Sequence, residues 1–299
     1  MKINDLDVVD KQLMYKTYDK WPKIAKDSFE EKIEKIDIKD VDHIVFAGMG
    51  GSGTIGDTVQ AILSKQNIHV TVVKGYVLPK TVDSKTLVIT TSVSGNTLET
   101  IEILKQVKNI PAKTIGFSSG GLLEDYCEKN NLPFQKIDMI HSPRASLPKF
   151  LFTILNVIEP ILPIKQNEVK HAITSLEKTK QNIFSENLNP DNIALDLAEF
   201  NKELSCIYYP DGLKASAIRY KNSLQENSKM HAMIEDVIES CHNGIVAWET
   251  KSNVKPILIQ GSDDNNKTIE RWRILEEFFQ KKEIDYKVIK SIDGNILSK

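Results

Sequence analysis

Short apolar runs alternate with helical stretches along most of this chain, and that alternation restricts the fold more than any other feature. His43-Ile-Val-Phe-Ala47, His69-Val-Thr-Val-Val73, Thr86-Leu-Val-Ile-Thr-Thr91 and Lys113-Thr-Ile-Gly-Phe117 are four such runs, and Phe134 to Ile137 is a fifth. Helical segments such as Gly56 to Lys65 separate them. Strands of this length joined by helices predict right-handed βαβ units and a parallel sheet with helices on its faces. A second series predicts strands at Ser205 to Tyr209, Gly244 to Ala247, Pro256 to Gln260 and Tyr286 to Ile289, with an amphipathic helix from Lys267 to Lys282. Upstream, apolar residues recur at helical spacing from Val8 to about Ile36, broken at Pro22. The fold class is α/β. At 299 residues the chain exceeds the usual single-core limit of about 250. The expected organisation is an N-terminal domain at 1–150, a helical connection at 151–204 containing Pro160, Pro163 and Pro190, and a C-terminal domain at 205–299.

Composition narrows the function. Charged residues make up 27% with both signs nearly balanced, and the net charge of -2 offers no basic surface to nucleic acid. An anion site here must therefore work through local geometry. The three cysteines, Cys127, Cys206 and Cys241, show no CxxC spacing, so neither disulfides nor zinc are expected, and a reducing cytoplasm fits. No membrane role is expected, because the longest apolar stretch, Phe150 to Leu162, is short and interrupted by Asn156, Glu159 and Pro160. His43, His69, His141 and His171 stand singly, without HExxH spacing. No metal and no cofactor are expected.

Two turns carry the chemistry. The first strand runs into Gly48-Met-Gly-Gly-Ser-Gly53 and then a helix, whose free N-terminal amides favour an anion. Gly48, Gly50 and Gly53 satisfy GxGxxG, yet the next strand ends Val73-Lys74-Gly75, without the acid that holds the ribose of NAD. Lys74 leaves an NADP-linked oxidoreductase conceivable. The third strand opens into Ser92-Val-Ser-Gly-Asn-Thr97 just before a helical start. Ser92, Ser94 and Thr97 can donate hydroxyls to phosphate oxygens, with Ser52 on the neighbouring turn. Serine and threonine also cap helices, but one cap needs one hydroxyl.

With both loops in view, the sequence resembles the sugar isomerase (SIS) domain proteins, and within them the archaeal-type bifunctional phosphoglucose/phosphomannose isomerases. The motifs that carry the resemblance are Gly48-Met-Gly-Gly-Ser-Gly, Ser92-x-Ser-Gly-Asn-Thr97, Ser118-Ser-Gly-Gly121, Pro143-Arg-Ala-Ser-Leu-Pro148, Leu224-Gln-Glu-Asn-Ser-Lys229 and His242-Asn. The resemblance implies two SIS-type, flavodoxin-like domains and a metal-independent aldose-ketose isomerase. Its substrates would be glucose 6-phosphate or mannose 6-phosphate with fructose 6-phosphate, reacting through a cis-enediol. It further implies phosphate contacts at Gly51, Ser52, Ser92, Ser94 and Thr97, a positive group at Arg144 and a catalytic base at Glu226. His242 would open the sugar ring from the partner subunit of a homodimer, with the active site at the interface.

Two departures from the family pattern stand out. Gly244 occupies a position where many members carry an acid. The family also continues into a helical segment bearing a lysine, which Lys299 does not match, so the C-terminal domain is expected to lack it.

The residue types suit the reaction. Moving a proton between C1 and C2 needs a base beside the substrate and a positive group near the developing oxyanion, which Glu226 and Arg144 can supply. Glu226 could equally be a solvated helix acid paired with Lys229. A histidine can exchange a proton with the ring oxygen near neutral pH, and His231 competes with His242 for that part. The rival function is a binding module that senses a sugar phosphate without turning it over.

Overall fold

The computed structural model describes residues 3–36 and 38–299. The chain divides into two compact units, residues 1–180 and 181–299. The first opens with α1 (Ile3–Val9), α2 (Met14–Tyr18) and α3 (Trp21–Glu30). Pro22 lies in the first turn of α3, where its missing N–H has no intrahelical acceptor, so it starts that helix rather than breaking one. Five parallel strands follow: β1 (His43–Ala47), β2 (His69–Val73), β3 (Thr86–Ser92), β4 (Lys113–Ser118) and β5 (Phe134–Lys136). Their crossovers are α4 (Gly50–Leu63), α5 (Leu98–Val107) and α6 (Gly121–Lys129), and α7 (Leu147–Val157) comes after.

The spatial order is β2-β1-β3-β4-β5. Every residue of β1 and β3 is buried, as a parallel strand covered on both faces requires, and this is why those runs are continuously apolar or Thr/Ser rather than alternating. The chain leaves β1 toward one side and returns on the other. A crevice therefore opens between β1 and β3 at their carboxyl ends, where sheets of this kind bind ligands.

α8 (Gln166–Ile183) precedes α9 (Ile193–Phe200) and the second sheet: β6 (Ser205–Tyr209), β7 (Ala232–Asp236), β8 (Lys255–Gln260) and β9 (Lys287–Lys290). Its parallel order is β7-β6-β8-β9, the same sequence of moves as the first four strands of the first sheet. α10 (Lys214–Ser223), α11 (Val237–Ser240) and α12 (Asn266–Lys281) connect the strands. Alternation along β6 divides the core. Cys206 and Tyr208 face one cluster with Val237, Trp248, Trp272 and Phe279, while Ile207 and Tyr209 face another with Leu213, Ala217 and Leu224.

The strand expected at Gly244 to Ala247 is instead part of a 3₁₀ turn, Gly244–Glu249, and the strand in that interval is β7. A run this short has no periodicity to distinguish the two conformations. Burial decides it: Trp248 is pulled into the core, where its indole N–H donates to the Tyr208 hydroxyl at 2.9 Å, and Val246 is left 64% exposed. β7 escapes notice because it is an edge strand, half-buried and ending in Glu235 and Asp236.

Candidate active site

The glycine turn is tighter than its sequence suggests, since α4 already begins at Gly50 and places Gly51 and Ser52 in the first helical turn. Met49 occupies the N-cap position and has no side-chain acceptor to offer. The first i→i−4 bond runs from the Gly53 amide to the Met49 carbonyl, 3.2 Å. The amides ahead of it, at Gly50, Gly51 and Ser52, belong to the turn that helix geometry leaves without acceptors, and the macrodipole adds about half a positive charge there. Ser52 is 6% exposed, so its hydroxyl lies in a largely desolvated position.

Ser92 ends β3 on the neighbouring strand, in register one pleat beyond the Ala47↔Thr90 pairing of β1 and β3. Its hydroxyl and that of Thr97 are hydrogen-bonded at 2.8 Å. Thr97 holds the N-cap position of α5, yet its side chain makes no cap bond. The hydroxyls are therefore engaged with each other across the mouth of the loop instead of satisfying the helix. Ser94 is exposed at the tip, its oxygen accepting the Asn96 amide at 3.3 Å.

The loop is clamped from the next βα turn. Ser119 donates through both its amide and its hydroxyl to the Val93 carbonyl, at 3.1 and 2.7 Å, and the Leu123 amide donates to the Gly95 carbonyl at 2.9 Å. Gly95 has φ +73°, and a Cβ there would fall 1.6 Å from the Gly120 carbonyl oxygen. Only glycine permits that approach. Ser92 thus ends β3, Thr97 takes the N-cap position at the end of the turn that follows it, and Ser52 opens the helix after the adjacent parallel strand β1, so two helix N-termini stand at one sheet edge.

Arg144 lies in the turn before α7, on the chain that leaves the carboxyl edge of β5. The turn is pinned at both ends: the Ile140 amide donates to the Ser146 hydroxyl at 2.8 Å, and the Trp21 indole donates to the Ala145 carbonyl at 2.9 Å.

The other two candidates belong to the second unit. Glu226 sits half-buried in a π-helical turn, Leu224–Ser228, that continues α10, an irregularity that recurs at functional sites. Lys229, with φ +58°, ends the turn and donates to the main-chain carbonyl of Glu226 at 2.6 Å. His242 is exposed in the turn after α11, its amide bonded to the Glu239 carbonyl, while the Asn243 side chain donates to the Glu239 carboxylate at 3.0 Å. His231 is also exposed, just ahead of β7. The second sheet separates the candidates: the Glu226 turn packs with Leu224 on one face, and the segment carrying His242 packs through Val237 and Trp248 on the other. Among the described residues no group of three or more His, Cys, Asp or Glu side chains could hold a metal ion.

Two residues close to the glycine turn drew no attention as a pair in the sequence, Asp57 and Lys74. Their ammonium–carboxylate contact is 2.5 Å, and a 17-residue separation hides it from any local pattern.

A family model described as SIS domain matches residues 37–122, and one described as Bacterial phospho-glucose isomerase C-terminal SIS domain matches residues 189–299. A curated bifunctional phosphoglucose/phosphomannose isomerase of Caldicellulosiruptor bescii is 32% identical over 256 residues, covering 81% of this chain and 74% of that protein. A D-glucosamine-6-phosphate 4-epimerase of Sulfolobus acidocaldarius is 25% identical over 256 residues, covering 82% and 77%. Among solved structures, the C-terminal domain of glucosamine-fructose-6-phosphate aminotransferase from Francisella tularensis superposes with a TM-score of 0.69 at 16% identity, over 95% of this chain and 90% of that one.

Proposed function

Because the chain belongs to the bifunctional phosphoglucose/phosphomannose isomerase family, we propose that it interconverts glucose 6-phosphate or mannose 6-phosphate with fructose 6-phosphate. The reaction runs through a cis-enediol and needs no metal. The phosphate binds at Gly51, Ser52, Ser92, Ser94 and Thr97. The observation that carries this reading is the crevice between β1 and β3, where the Ser92–Thr97 hydroxyl pair, left unused by helix capping, stands beside the uncapped first turn of α4.

Anchoring the phosphate fixes which carbons face the base, and a positioned base contributes about 100- to 10,000-fold. Glu226 removes the proton from C2 or C1 and returns it to the other carbon. Arg144, which keeps its charge at any working pH, stabilises the enediolate oxygen. His242 passes a proton to the ring oxygen and takes one from the hydroxyl, reaching in from a second copy of the chain in a homodimer. The segments that carry Glu226 and His242 pack, through Leu224 and through Val237 and Trp248, into the clusters on opposite faces of the second sheet, which supports such sharing. Cytoplasmic residence fits the three free cysteines.

Proton exchange tests the reading. Incubated with fructose 6-phosphate in deuterated solvent, the protein should label the substrate at the exchanging carbon, and Glu226→Gln should abolish labelling. Binding without labelling would leave a sensor. Conversion of glucosamine 6-phosphate at C4, with no exchange into fructose 6-phosphate, would favour the activity named for the Sulfolobus relative. Ser94→Ala combined with Thr97→Ala should raise KM about 100-fold or more, since each lost hydrogen bond to a charged group is worth about 1.5–3 kcal/mol; an unchanged KM moves the phosphate elsewhere.

A further inference from the structure

The loops around the crevice offer neutral donors, and one cation stands behind them. Lys74 directly follows β2, and its Cε lies 3.0 Å from the point where a Cβ on Gly53 would sit. The Gly48 carbonyl oxygen lies 2.7 Å from the same point. A side chain at 53 would push on both the Gly48 carbonyl and the lysine stem, so Gly53 keeps open the groove in which that stem crosses the first turn of α4. One turn further along the same helix face, Asp57 accepts from the ammonium at 2.5 Å. The aspartate side chain is 10% exposed and the lysine 36%. The positive charge is thus held one helical turn inward from the amides of Gly50, Gly51 and Ser52.

We propose that Lys74 is the cationic ligand of the phosphate pocket, held on Asp57 while the pocket is empty and passed to the phosphate when a ligand enters; this rests on the reading of the crevice as a phosphate site. A compact ammonium on a flexible four-carbon stem can move between two anions in a way a rigid guanidinium fork cannot. A phosphate monoester near neutral pH carries close to two negative charges against one on Asp57, so the field at the pocket wins once the dianion is in place. The charge-assisted bond it gains is shorter and stronger than those from hydroxyls. Asp57 then acts as a competitor that weakens binding of anything less charged than a phosphate dianion, which makes the pair a filter for phosphorylated over neutral or singly charged ligands.

The competition has a sign that a merely structural ion pair lacks. Inorganic phosphate is titrated calorimetrically into the intact wild-type chain and into Lys74→Met, Lys74→Arg and Asp57→Asn, with KM for fructose 6-phosphate measured alongside and folding checked by thermal unfolding. Lys74→Met should weaken phosphate binding about tenfold and raise KM more than it lowers kcat. Lys74→Arg should bind phosphate more weakly than wild type though more tightly than Lys74→Met, because the charge is kept but the rigid fork passes less readily from Asp57 to the phosphate. Asp57→Asn should tighten phosphate binding several-fold, because the competing carboxylate charge is gone. Wild-type affinity in Lys74→Met, or weaker binding in Asp57→Asn, overturns the proposal while leaving the pocket in place. A wild-type chain that binds no phosphate overturns both. Should Lys74→Met fail to fold, the opposite responses of Lys74→Arg and Asp57→Asn still decide.

Discussion

At the scale of single residues, the candidate pocket depends on close approaches that tolerate no side chain. Gly95→Ala would force a methyl group 1.6 Å from the Gly120 carbonyl oxygen at a φ of +73°, so the serine loop must separate from its clamp. Backbone strain alone is worth about 1–3 kcal/mol, and the clash adds to it. Gly75→Ala, by contrast, meets nothing within 4 Å and should stay within about 0.5 kcal/mol of wild type. Urea unfolding of the two variants checks the contrast; equal midpoints would mean the clamp contributes nothing. The pattern Ser-x-Ser-Gly-Asn-Thr announced the loop, but not that Ser92 and Thr97 bond to each other or that Ser119 holds Val93. Those contacts join residues of different strands, and a single sequence carries no trace of the pairing. The Lys74–Asp57 contact was hidden for the same reason.

Elements whose burial is complete were legible, and elements half in water were not. β1 and β3 stand out as continuous apolar runs because both faces are covered, whereas β7 has no such signature and the apolar run after it, Gly244 to Ala247, forms a 3₁₀ turn and not the expected strand. At the opposite end of the first sheet from the serine loop, His43 stitches three strands together. Its Nδ1 pairs with the Thr86 hydroxyl of β3 at 3.3 Å and its Nε2 with the Thr71 hydroxyl of β2 at 3.1 Å. Burial holds its pKa below the ordinary 6.5, the neighbouring His69 adds to that effect, and Asp83 and Asp42 oppose it. The unfolded chain therefore takes up a proton near pH 6.5 that the folded one refuses. His43 withholds stability progressively as the pH falls below that value and has no effect above it. The urea midpoint should drop on going from pH 7 toward pH 5, and His43→Gln should flatten that drop. An unchanged slope would place the acid sensitivity in another group.

For the whole molecule, two series of apolar runs predicted two parallel sheets, and the two sheets share one strand order over four strands. Chains carrying Glu226→Gln and chains carrying His242→Ala should each be inactive, and mixing them under conditions of subunit exchange should restore up to about a quarter of the sites if each site draws on two copies. No recovery would assign both groups to one copy. Turnover should also survive prolonged treatment with a strong chelator, since the proposed mechanism gives the proton transfers to Glu226 and His242 and the charge stabilisation to Arg144; loss of activity restored by zinc would require a metal in the pathway. A surface for a second copy is not legible in the sequence, because association surfaces leave no periodic signature in a chain whose apolar positions already serve two cores.

The clamp between the turns after β3 and β4 makes the pocket a late arrival during synthesis. A chain truncated near residue 110 would already contain Gly51, Ser52, Ser92, Ser94 and Thr97, yet would lack Ser119, Gly120 and Leu123, which fix the curvature of the serine loop. The ability to capture phosphate should therefore switch on abruptly with nascent length, and metabolite binding can reward only chains whose fourth strand has docked.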